Sequence, residues 1–320
     1  MTEPNIAPGR NVIAVTGATG FIGAHLLSRL DDRKQATRVL IRDRKNRTIS
    51  VPGSTEVVRG SLHDPNAILT LLDGARTCVH LAGATTAIEA SGFHTANVVG
   101  TYNMAACALK AGVAHFIHVS SQAARAPDIS DYAASKAVSE AALHAFKAHM
   151  RITIIRPPAV IGRGDPMLQP MFDLIRFGWL PAPAEPKDMR RCFAVISVDD
   201  LVSQIIDSID SVGPTGDRLE PCSIASTHWT EIASTASQIL KRNVRIIRIW
   251  PSLMNGLGIC ADVLAKMTRR PFSVSQNKVR ELLAVDWSYD QPVRDAMDLK
   301  EIFTACLGDD RPKSPIRSGK

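Results

Sequence analysis

A tyrosine and a lysine one helical turn apart are the residues of this chain best suited to chemistry. Tyr132 and Lys136 are four positions apart, so on a helix begun by Ser130 or Asp131 they share one face. An ammonium group near a phenol favours the phenolate and lowers the pKa of the tyrosine towards a working pH. Such a pair also arises by chance on ordinary helices. It predicts an acid/base site only if the surrounding elements bring it a partner and a ligand.

The second informative stretch is a glycine-rich turn between a strand and a helix, within residues 11–29. An apolar run ends at Thr16, and Gly17, Gly20 and Gly23 then open a segment whose apolar residues have helical spacing. Gly17 permits the tight turn, Gly20 lets a pyrophosphate approach the backbone, and Gly23 lets the helix pack on the strand. The N–H groups of the first helical turn would face that anion. We interpret the stretch as a nucleotide site, the alternative being an ordinary turn.

The elements between these two motifs predict a parallel sheet. Short apolar strands are expected at 38–41, 56–59, 75–82, 115–120 and 151–156. Helix-length segments separate them, including one begun by Asp64 and Pro65 and others at 91–111 and 131–149, so the strands pair through crossovers rather than hairpins. Ser121 then follows a strand end eleven residues before Tyr132, which makes Ser121, Tyr132 and Lys136 the best catalytic candidates.

The end of the second strand carries the residue that would select the cofactor. In a dinucleotide fold an acidic residue there binds the ribose 2′-hydroxyl, whereas an arginine pairs with a 2′-phosphate. Arg42 occupies this place and is followed by Asp43, Arg44, Lys45 and Arg47. We therefore expect NADP, with NAD possible because of Asp43; a merely solvated basic loop is the alternative.

Composition places the chain among soluble globular proteins. It has 320 residues, 45% of them hydrophobic, and a formal net charge of +7, much of it in 42–47 and in a basic tail at 311–320 expected to be flexible. The six cysteines include no CxxC pair, which argues against disulfides and a zinc knuckle and favours a reducing cytoplasm. The apolar stretch 249–267 is interrupted by Pro251, Asn255, Asp262 and Lys266, so it falls short of a membrane span. We expect no nucleic-acid and no membrane partner.

Three other polar pairs have ordinary explanations. His115 and His118 are three apart on a strand and point to opposite faces, so we expect no metal site. Asp199 and Asp200 are interpreted as helix caps rather than catalytic carboxylates. At 190–191 two arginines could hold an anionic substrate group or form a solvated turn.

The motifs together resemble those of the extended short-chain dehydrogenase/reductases, also called NAD-dependent epimerase/dehydratases. The matching pieces are TGATGFIG at 16–23, HLAG at 80–83, NVVGT at 97–101, VSS at 119–121, YAASK at 132–136, RPPAVIGRGD at 156–165 and SVDDL at 197–201. Seven pieces in this order and spacing cover most of the chain.

This resemblance implies an α/β fold, a doubly wound parallel sheet (Rossmann) with a smaller C-terminal substrate-binding lobe. Residues 1–160 would form the NAD(P)-binding domain, with later segments returning to it, 161–310 mainly the lobe and 311–320 the tail. Tyr132 would move the hydroxyl proton, Ser121 would bind the oxyanion, and Lys136 would bind the nicotinamide ribose and lower the pKa of the tyrosine. Asn97 would be structural or catalytic. The cofactor set implied by the resemblance is Gly17, Thr19, Gly20, Phe21, Ile22, Gly23, Arg42, Ser61, Leu62, Leu81, Ala82, Gly83, Tyr132, Lys136, Pro157 and Val160.

The chain departs from the sugar-nucleotide members of that family. Only ten residues separate Ser121 from Tyr132, without the VYG and longer insert usual there, and Ile161 stands where many members have a tyrosine. The expected function is therefore interconversion of a ketone and a secondary alcohol on a small-molecule substrate. The alternatives are a nucleotide-sugar epimerase or dehydratase with tightly bound NAD, and a dinucleotide-binding regulatory or assembly protein without turnover.

The resemblance also implies a homodimer. Family members commonly pair the helices that would lie here at 91–111 and 131–149. The small residues Ala133, Ala137, Ala141 and Ala145 would allow close approach, although the same alanines could pack inside the monomer.

Overall fold

A computed structural model describes residues 12–42, 51–186, 190–211, 218–270, 272, 275–284 and 286–308. Asp43, Arg44, Lys45 and Arg47, which entered the cofactor prediction, and the basic tail at 311–320 lie outside the described residues.

The described residues form strands and helices in regular alternation through the first half of the chain. The strands are β1 Val12–Thr16, β2 Thr37–Ile41, β3 Thr55–Arg59, β4 Ala75–His80, β5 His115–Val119, β6 Arg151–Ile155, β7 Ala159–Ile161, β8 Trp179–Pro183, β9 Cys192–Ser197, β10 Arg218–Leu219, β11 Ile224–Thr227, β12 Arg245–Ile249 and β13 Asp286–Trp287. The α-helices are α1 Phe21–Asp32, α2 Pro65–Leu72, α3 Ala90–Phe93, α4 Gly100–Lys110, α5 Asp131–Leu143, α6 Gln169–Arg176, α7 Val198–Asp210, α8 Trp229–Leu240, α9 Pro251–Thr268, α10 Gln276–Leu283 and α11 Leu299–Leu307.

The central sheet confirms the predicted doubly wound parallel architecture. Its strand order is β3-β2-β1-β4-β5-β6-β10, and every neighbouring pair is parallel. The order reverses between β1 and β4, and in such sheets ligands bind beyond the carboxyl ends of the strands at that reversal. The glycine turn after β1 lies at this point.

Apolar layers cover both faces of this sheet. One contains α2, α4 and α5, with Ile68, Met104 and Phe116 fully buried. The other contains α1 and α7, where Leu26 packs in one cluster with Leu201. Strand β10 is part of the central sheet and α7 packs on it, although both come late in the chain. The polypeptide therefore returns to the central sheet after it has begun the C-terminal part.

The predicted helix at 91–111 is wrong in one respect, because it is interrupted. A π-helical segment, His94–Val99, separates α3 from α4. Within it the Asn97 side chain accepts from the Ala84 amide (2.7 Å) and donates to the Ala84 carbonyl (3.0 Å) and to Ser135 Oγ (2.9 Å). The wider turn of the π-helix lets the Asn97 side chain point into the protein, where it is buried. The helix predicted at 131–149 is also shorter, since α5 ends at Leu143 and a 3₁₀ turn follows.

The remaining strands build a smaller C-terminal part. The antiparallel pair β9–β11 is joined by β7 and β13 on β9, and β8 pairs with β12. Phe172 and Phe303 form its core together with Leu180. The chain enters this part by the short connection from β6 to β7, at the carboxyl ends of the central strands.

A buried ion pair joins α5 to the end of β6. Arg156 makes a bidentate contact with Glu140, with Nε–Oε1 at 2.9 Å and Nη2–Oε2 at 2.7 Å, and both residues are less than a tenth exposed. Ser120 Oγ donates to the same carboxylate at 2.5 Å, and Glu220 contacts Arg156 from its more exposed side. Tyr289 donates its hydroxyl to the Arg156 carbonyl at 2.6 Å. The pair thus fixes α5, the end of β5 and a segment of the C-terminal part against each other.

Removing one partner of this pair is expected to destabilise the fold strongly. Glu140→Leu leaves the Arg156 guanidinium buried without its carboxylate, so the free energy of unfolding should fall by about 3 to 5 kcal/mol. Glu220→Gln, at the half-buried side of the same arginine, is the matched control and should cost less than about 1 kcal/mol. Urea denaturation followed by circular dichroism measures both values. Equal losses in the two variants would contradict the assigned importance of Glu140.

Candidate active site

The structure brings the three predicted catalytic residues together. Ser130 caps α5 by accepting from the Ala133 amide at 3.0 Å, so Tyr132 lies in the first turn and Lys136 one turn later. Ser121 follows β5, and its side chain accepts from the Ala123 amide at 3.2 Å. The Ser121 side chain lies close enough to the Tyr132 hydroxyl to lower the pKa of the tyrosine. The candidate acid/base group and the candidate oxyanion-binding hydroxyl therefore lie side by side.

The expected effect of Lys136 on the tyrosine is wrong for this structure. Burial raises the pKa of Tyr132; the hydrogen bond to Ser121 and the charge of Lys278 oppose that rise, and Glu281 adds to it. Lys136 instead donates its Nζ to the Val119 carbonyl at the end of β5, at 3.0 Å. The i, i+4 spacing placed both residues on one face, but the lysine extends towards the strand. Tyr132 consequently holds its proton.

Lys136 is itself strongly perturbed. Burial lowers its pKa to about 8, although the nearby Glu140 carboxylate favours the charged form. The two residues are four apart on α5, and Glu140 is held in the buried ion pair with Arg156. A lysine with a pKa near the working pH can adjust its charge as ligands enter.

The glycine turn has the shape that a dinucleotide requires. Gly17 has a φ of +74°, and a Cβ atom there would lie 2.6 Å from the Ala82 amide nitrogen. Gly20 caps α1 without a side chain, leaving the first-turn N–H groups open at the sheet reversal. Close backbone approach together with a bare helix N-terminus is the arrangement that receives a pyrophosphate. The residues present therefore fit such a cofactor, with Thr19, Phe21 and Ile22 completing the turn.

The loop after β4 connects the predicted cofactor floor to the catalytic helix. The amides of Leu81 and Ala82 donate to the Thr16 carbonyl (3.1 Å) and Oγ1 (3.3 Å). Strand β4 therefore ends at His80, two residues earlier than predicted. The chain leaves the strand there because the Ala82 amide donates to the side chain of Thr16. A Cβ on Gly83 would lie 2.8 Å from Asn97 Oδ1 and 3.7 Å from Lys136 Nζ. Asn97 thus positions the loop and the helix, so its structural role is the one observed.

The other residues of the predicted cofactor set lie around the same edge, with varied surroundings. Arg42 is exposed directly after β2. The Leu62 carbonyl accepts from Asn103 at 2.9 Å, and Ser61 Oγ accepts from the His63 amide. The Pro157 carbonyl accepts from the Gln122 amide at 2.9 Å, and Val160 lies in β7, partly buried against the α1–α7 layer. Their contact with a cofactor stays a prediction.

Sequence reasoning missed a group on α10 that faces the start of α5. Glu281 accepts from Ser130 Oγ at 2.6 Å, and Asn277 exchanges two hydrogen bonds with Asp131. Lys278 lies 3.0 Å from Glu281 with half of its side chain exposed. Partial burial lowers the pKa of Lys278, but the nearby Glu281, Tyr132 and Asp165 raise it by more, so the net shift is upwards. These residues are almost 150 positions from Tyr132, so no spacing rule could have indicated them.

Several other sequence interpretations are resolved. His115 and His118 are buried and hydrogen-bonded separately, to Thr153 and Ser139. No three His, Cys, Asp or Glu side chains in the described part of the chain are close enough to hold a metal.

Neither of the acidic residues at 199–200 caps α7. Ser197 does so by accepting from the Asp200 amide, while the Asp200 carboxylate accepts from Ser223 Oγ and the Met297 amide, joining two segments of the C-terminal part. Of the two arginines at 190–191, Arg191 is buried and donates to backbone carbonyls, so it is neither solvated nor open to a substrate.

Comparisons with known proteins agree with this geometry. Residues 13–175 match the model of the NAD dependent epimerase/dehydratase family. The chain is 34% identical over 280 residues to ceramide reductase of Caulobacter vibrioides, covering 87% of this chain and 86% of that protein. It is 31% identical over 181 residues to 2-alkyl-3-oxoalkanoate reductase of Stenotrophomonas maltophilia, covering 49% and 53%. The structure of Thermus thermophilus UDP-glucose 4-epimerase in complex with NAD is similar in fold, with a TM-score of 0.67, 15% identity and coverage of 92% and 97%.

The lowered pKa of Lys136 is expected to make the stability difference between the wild type and Lys136→Met depend on pH. Below pH 8 the folded chain holds a buried ammonium group; above it, up to 10.5, the folded chain releases this proton while the unfolded chain keeps it. Stability therefore rises with pH in this window. Relative to Lys136→Met, the wild type should gain up to about 3 kcal/mol of unfolding free energy between pH 7 and 10.5.

Urea denaturation at a series of pH values measures this difference. Lys110→Met, at an exposed position on α4, is the control and should give a flat difference. A wild-type advantage over Lys136→Met that stays constant or shrinks as pH rises would contradict the buried ammonium.

Proposed function

The chain belongs to the NAD-dependent epimerase/dehydratase family, and within it we propose that it reduces a ketone on a long-chain apolar substrate to a secondary alcohol, preferring NADPH. The observation that carries this proposal is the placement of the Ser121 side chain close to the Tyr132 hydroxyl, on the helix that also holds the buried Lys136. A protein that only binds a dinucleotide has no chemical need for these three groups together.

The mechanism uses each group for one task. When bound, the reduced dinucleotide supplies a hydride from C4 of its nicotinamide ring. Tyr132 donates its hydroxyl proton to the substrate carbonyl oxygen, and Ser121 donates a hydrogen bond to the same oxygen. Lys136, whose Nζ would lie 3.7 Å from a Cβ on Gly83, would hold the ribose of the cofactor. Hydride and proton together convert the carbonyl to an alcohol.

The protonation of Tyr132 supports the direction of reduction. Burial raises the pKa of the tyrosine, so it begins the reaction as an acid. Oxidation of an alcohol, the first step for an epimerase, would need the phenolate at the outset. A protonated Tyr132 is therefore the form that reduction of a carbonyl requires.

The proposed substrate class comes from the relatives. Of the two relatives named above, one is a ceramide reductase and the other a 2-alkyl-3-oxoalkanoate reductase. An open cavity of about 770 Å³ lies between Asp128 and Ile129, just before α5, and Asn255, Gln276 and Leu283 of α9 and α10. It is open to solvent and its lining includes Arg280, so it marks an approach to the start of α5 rather than an enclosed binding site.

The identity of the bound cofactor and the turnover on ketones separate the reductase from its two alternatives. Tightly retained NAD in the purified protein would favour the epimerase, whereas exchangeable NADPH would favour the reductase. Exchangeable binding with no turnover on any ketone would support a regulatory or assembly role.

Loss of the tyrosine hydroxyl is expected to stop turnover while leaving the cofactor bound. Tyr132→Phe should lower kcat on a long-chain 3-oxoalkanoate by a factor on the order of a hundred or more, because the transferable proton is gone. Cofactor affinity should change little. Tyr102→Phe, the same substitution at an exposed tyrosine of α4, is the control. The assay follows absorbance of the reduced nicotinamide; near wild-type turnover by Tyr132→Phe would overturn the assignment.

Arg42 is proposed to select NADPH. A charge-assisted phosphate contact is worth about 1.5 to 3 kcal/mol, so NADPH should bind on the order of tenfold to a hundredfold more tightly than NADH. Arg42→Ala should remove that preference. Arg76→Ala, at an exposed arginine near the opposite end of β4, should keep it. Fluorescence titration of both cofactors measures the ratio, and a preference that survives Arg42→Ala would reject the role of this residue.

A further inference from the structure

The helix α9 has apolar side chains on the face that points away from the protein. Its buried residues Met254, Gly258 and Ala265 face α10. Large apolar side chains that are 46–78% exposed lie on the opposite side of the helix, namely Leu253, Leu257, Ile259, Val263, Leu264 and Met267. A surface helix of a water-soluble domain normally has polar residues there. Contiguous exposed apolar surface of this kind marks a place where something docks.

Basic residues flank the two ends of α9 in the sequence. Between 241 and 270 the sequence has seven basic residues and one acidic residue, Asp262, whose carboxylate accepts from the Gln276 amide. Arg248 precedes the helix, and Lys266 and Arg269 stand at its end; all three are exposed. None of them forms a salt bridge with another described residue. Trp250, 72% exposed, stands at the helix start.

We propose that α9 docks on the surface of an anionic lipid bilayer. Its apolar face would lie at the boundary between headgroups and acyl chains, with the lysine and arginines on the lipid phosphates and Trp250 at the interface. Apolar area plus positive charge is the combination that binds an anionic membrane without crossing it. No helix in the described ranges is long and apolar enough to span a bilayer.

A second copy of the chain fits this face less well. A symmetric dimer contact would bring the same surface of two subunits together and place their cations opposite each other. The basic tail at 311–320 is an unsuitable cover for the same reason. The homodimer expected from the sequence uses other helices, α4 and α5, where Tyr102, Leu109 and Val138 are exposed.

Docking through α9 would also place the open cavity beside the lipid. Asn255 of α9 lines that cavity, and α10, which packs on α9, contacts the start of α5. A long-chain ketone could then pass from the bilayer towards Tyr132; this consequence rests on the proposed function, whereas the docking itself does not. The expectation of no membrane partner considered only a spanning segment, and the interruptions of 249–267 do not prevent a helix from lying on a surface.

Vesicle flotation of the full chain tests the proposal without using catalysis. The probes are phosphatidylcholine vesicles with and without phosphatidylglycerol. The wild type should float with the anionic vesicles, more weakly with the neutral ones, and less as salt is raised. Leu257→Glu/Leu264→Glu should lower the partition on the order of tenfold or more. Lys266→Gln/Arg269→Gln should remove the preference for anionic lipid.

A matched control separates the helix face from overall charge. Val57→Glu/Leu174→Glu introduces the same charges at exposed apolar positions on β3 and α6 and should bind vesicles like the wild type. NADPH binding by each variant verifies folding. The proposal is overturned if the wild type floats with neither vesicle, or if the control loses as much binding as the α9 variant. It is also overturned if light scattering shows that Leu257→Glu/Leu264→Glu converts a dimer to a monomer.

Discussion

The buried contact between Glu140 and Arg156 is the interaction on which the arrangement of the site depends. It holds the middle of α5 against the ends of β5 and β6, and Ser120 donates to the same carboxylate one residue before Ser121, the proposed oxyanion-binding residue. Buried charges are tolerated only with close partners, so the depth and rotation of α5 are fixed by this requirement. The same carboxylate supports the charge of Lys136. One ion pair therefore holds the candidate catalytic helix in place and partly offsets the effect of burial on the pKa of its lysine.

A second constraint joins the cofactor edge of the sheet to that helix. The backbone of β1 and its turn comes so close to the loop after β4 that only glycine fits at Gly17. The same loop reaches Gly83, where Asn97 holds it against α5 through Ala84 and Ser135. Asn97 reaches these partners from a π-helical turn, which interrupts the regular helix between α3 and α4.

The C-terminal part contributes more than a cover. Through Asn277 and Glu281, α10 binds the first residues of α5, and Lys278 adds a positive charge near Tyr132. Helix α9 packs on the other side of α10 and presents its apolar face outwards. The surface that would meet a membrane is therefore only one helix away from the acid/base residue. Solved structures of sugar-nucleotide enzymes share this fold, but a fold hosts many reactions, and here the chemistry is argued from the site.

The sequence by itself determined the features that are written in local spacing. The three glycines, the cap at Asp64, the placement of Tyr132 and Lys136 on one helix face, and the parallel order of short strands all follow from contacts within a few residues or from lengths of connection. Only the tertiary structure decided where Lys136 points, that burial raises the pKa of Tyr132, and that Asp200 joins distant segments instead of capping α7. It also brought Lys278 and Glu281 to the site from almost 150 residues away. Desolvation and Coulomb interactions depend on distances through space, and those distances are set by the packing of the whole chain, which no local pattern encodes.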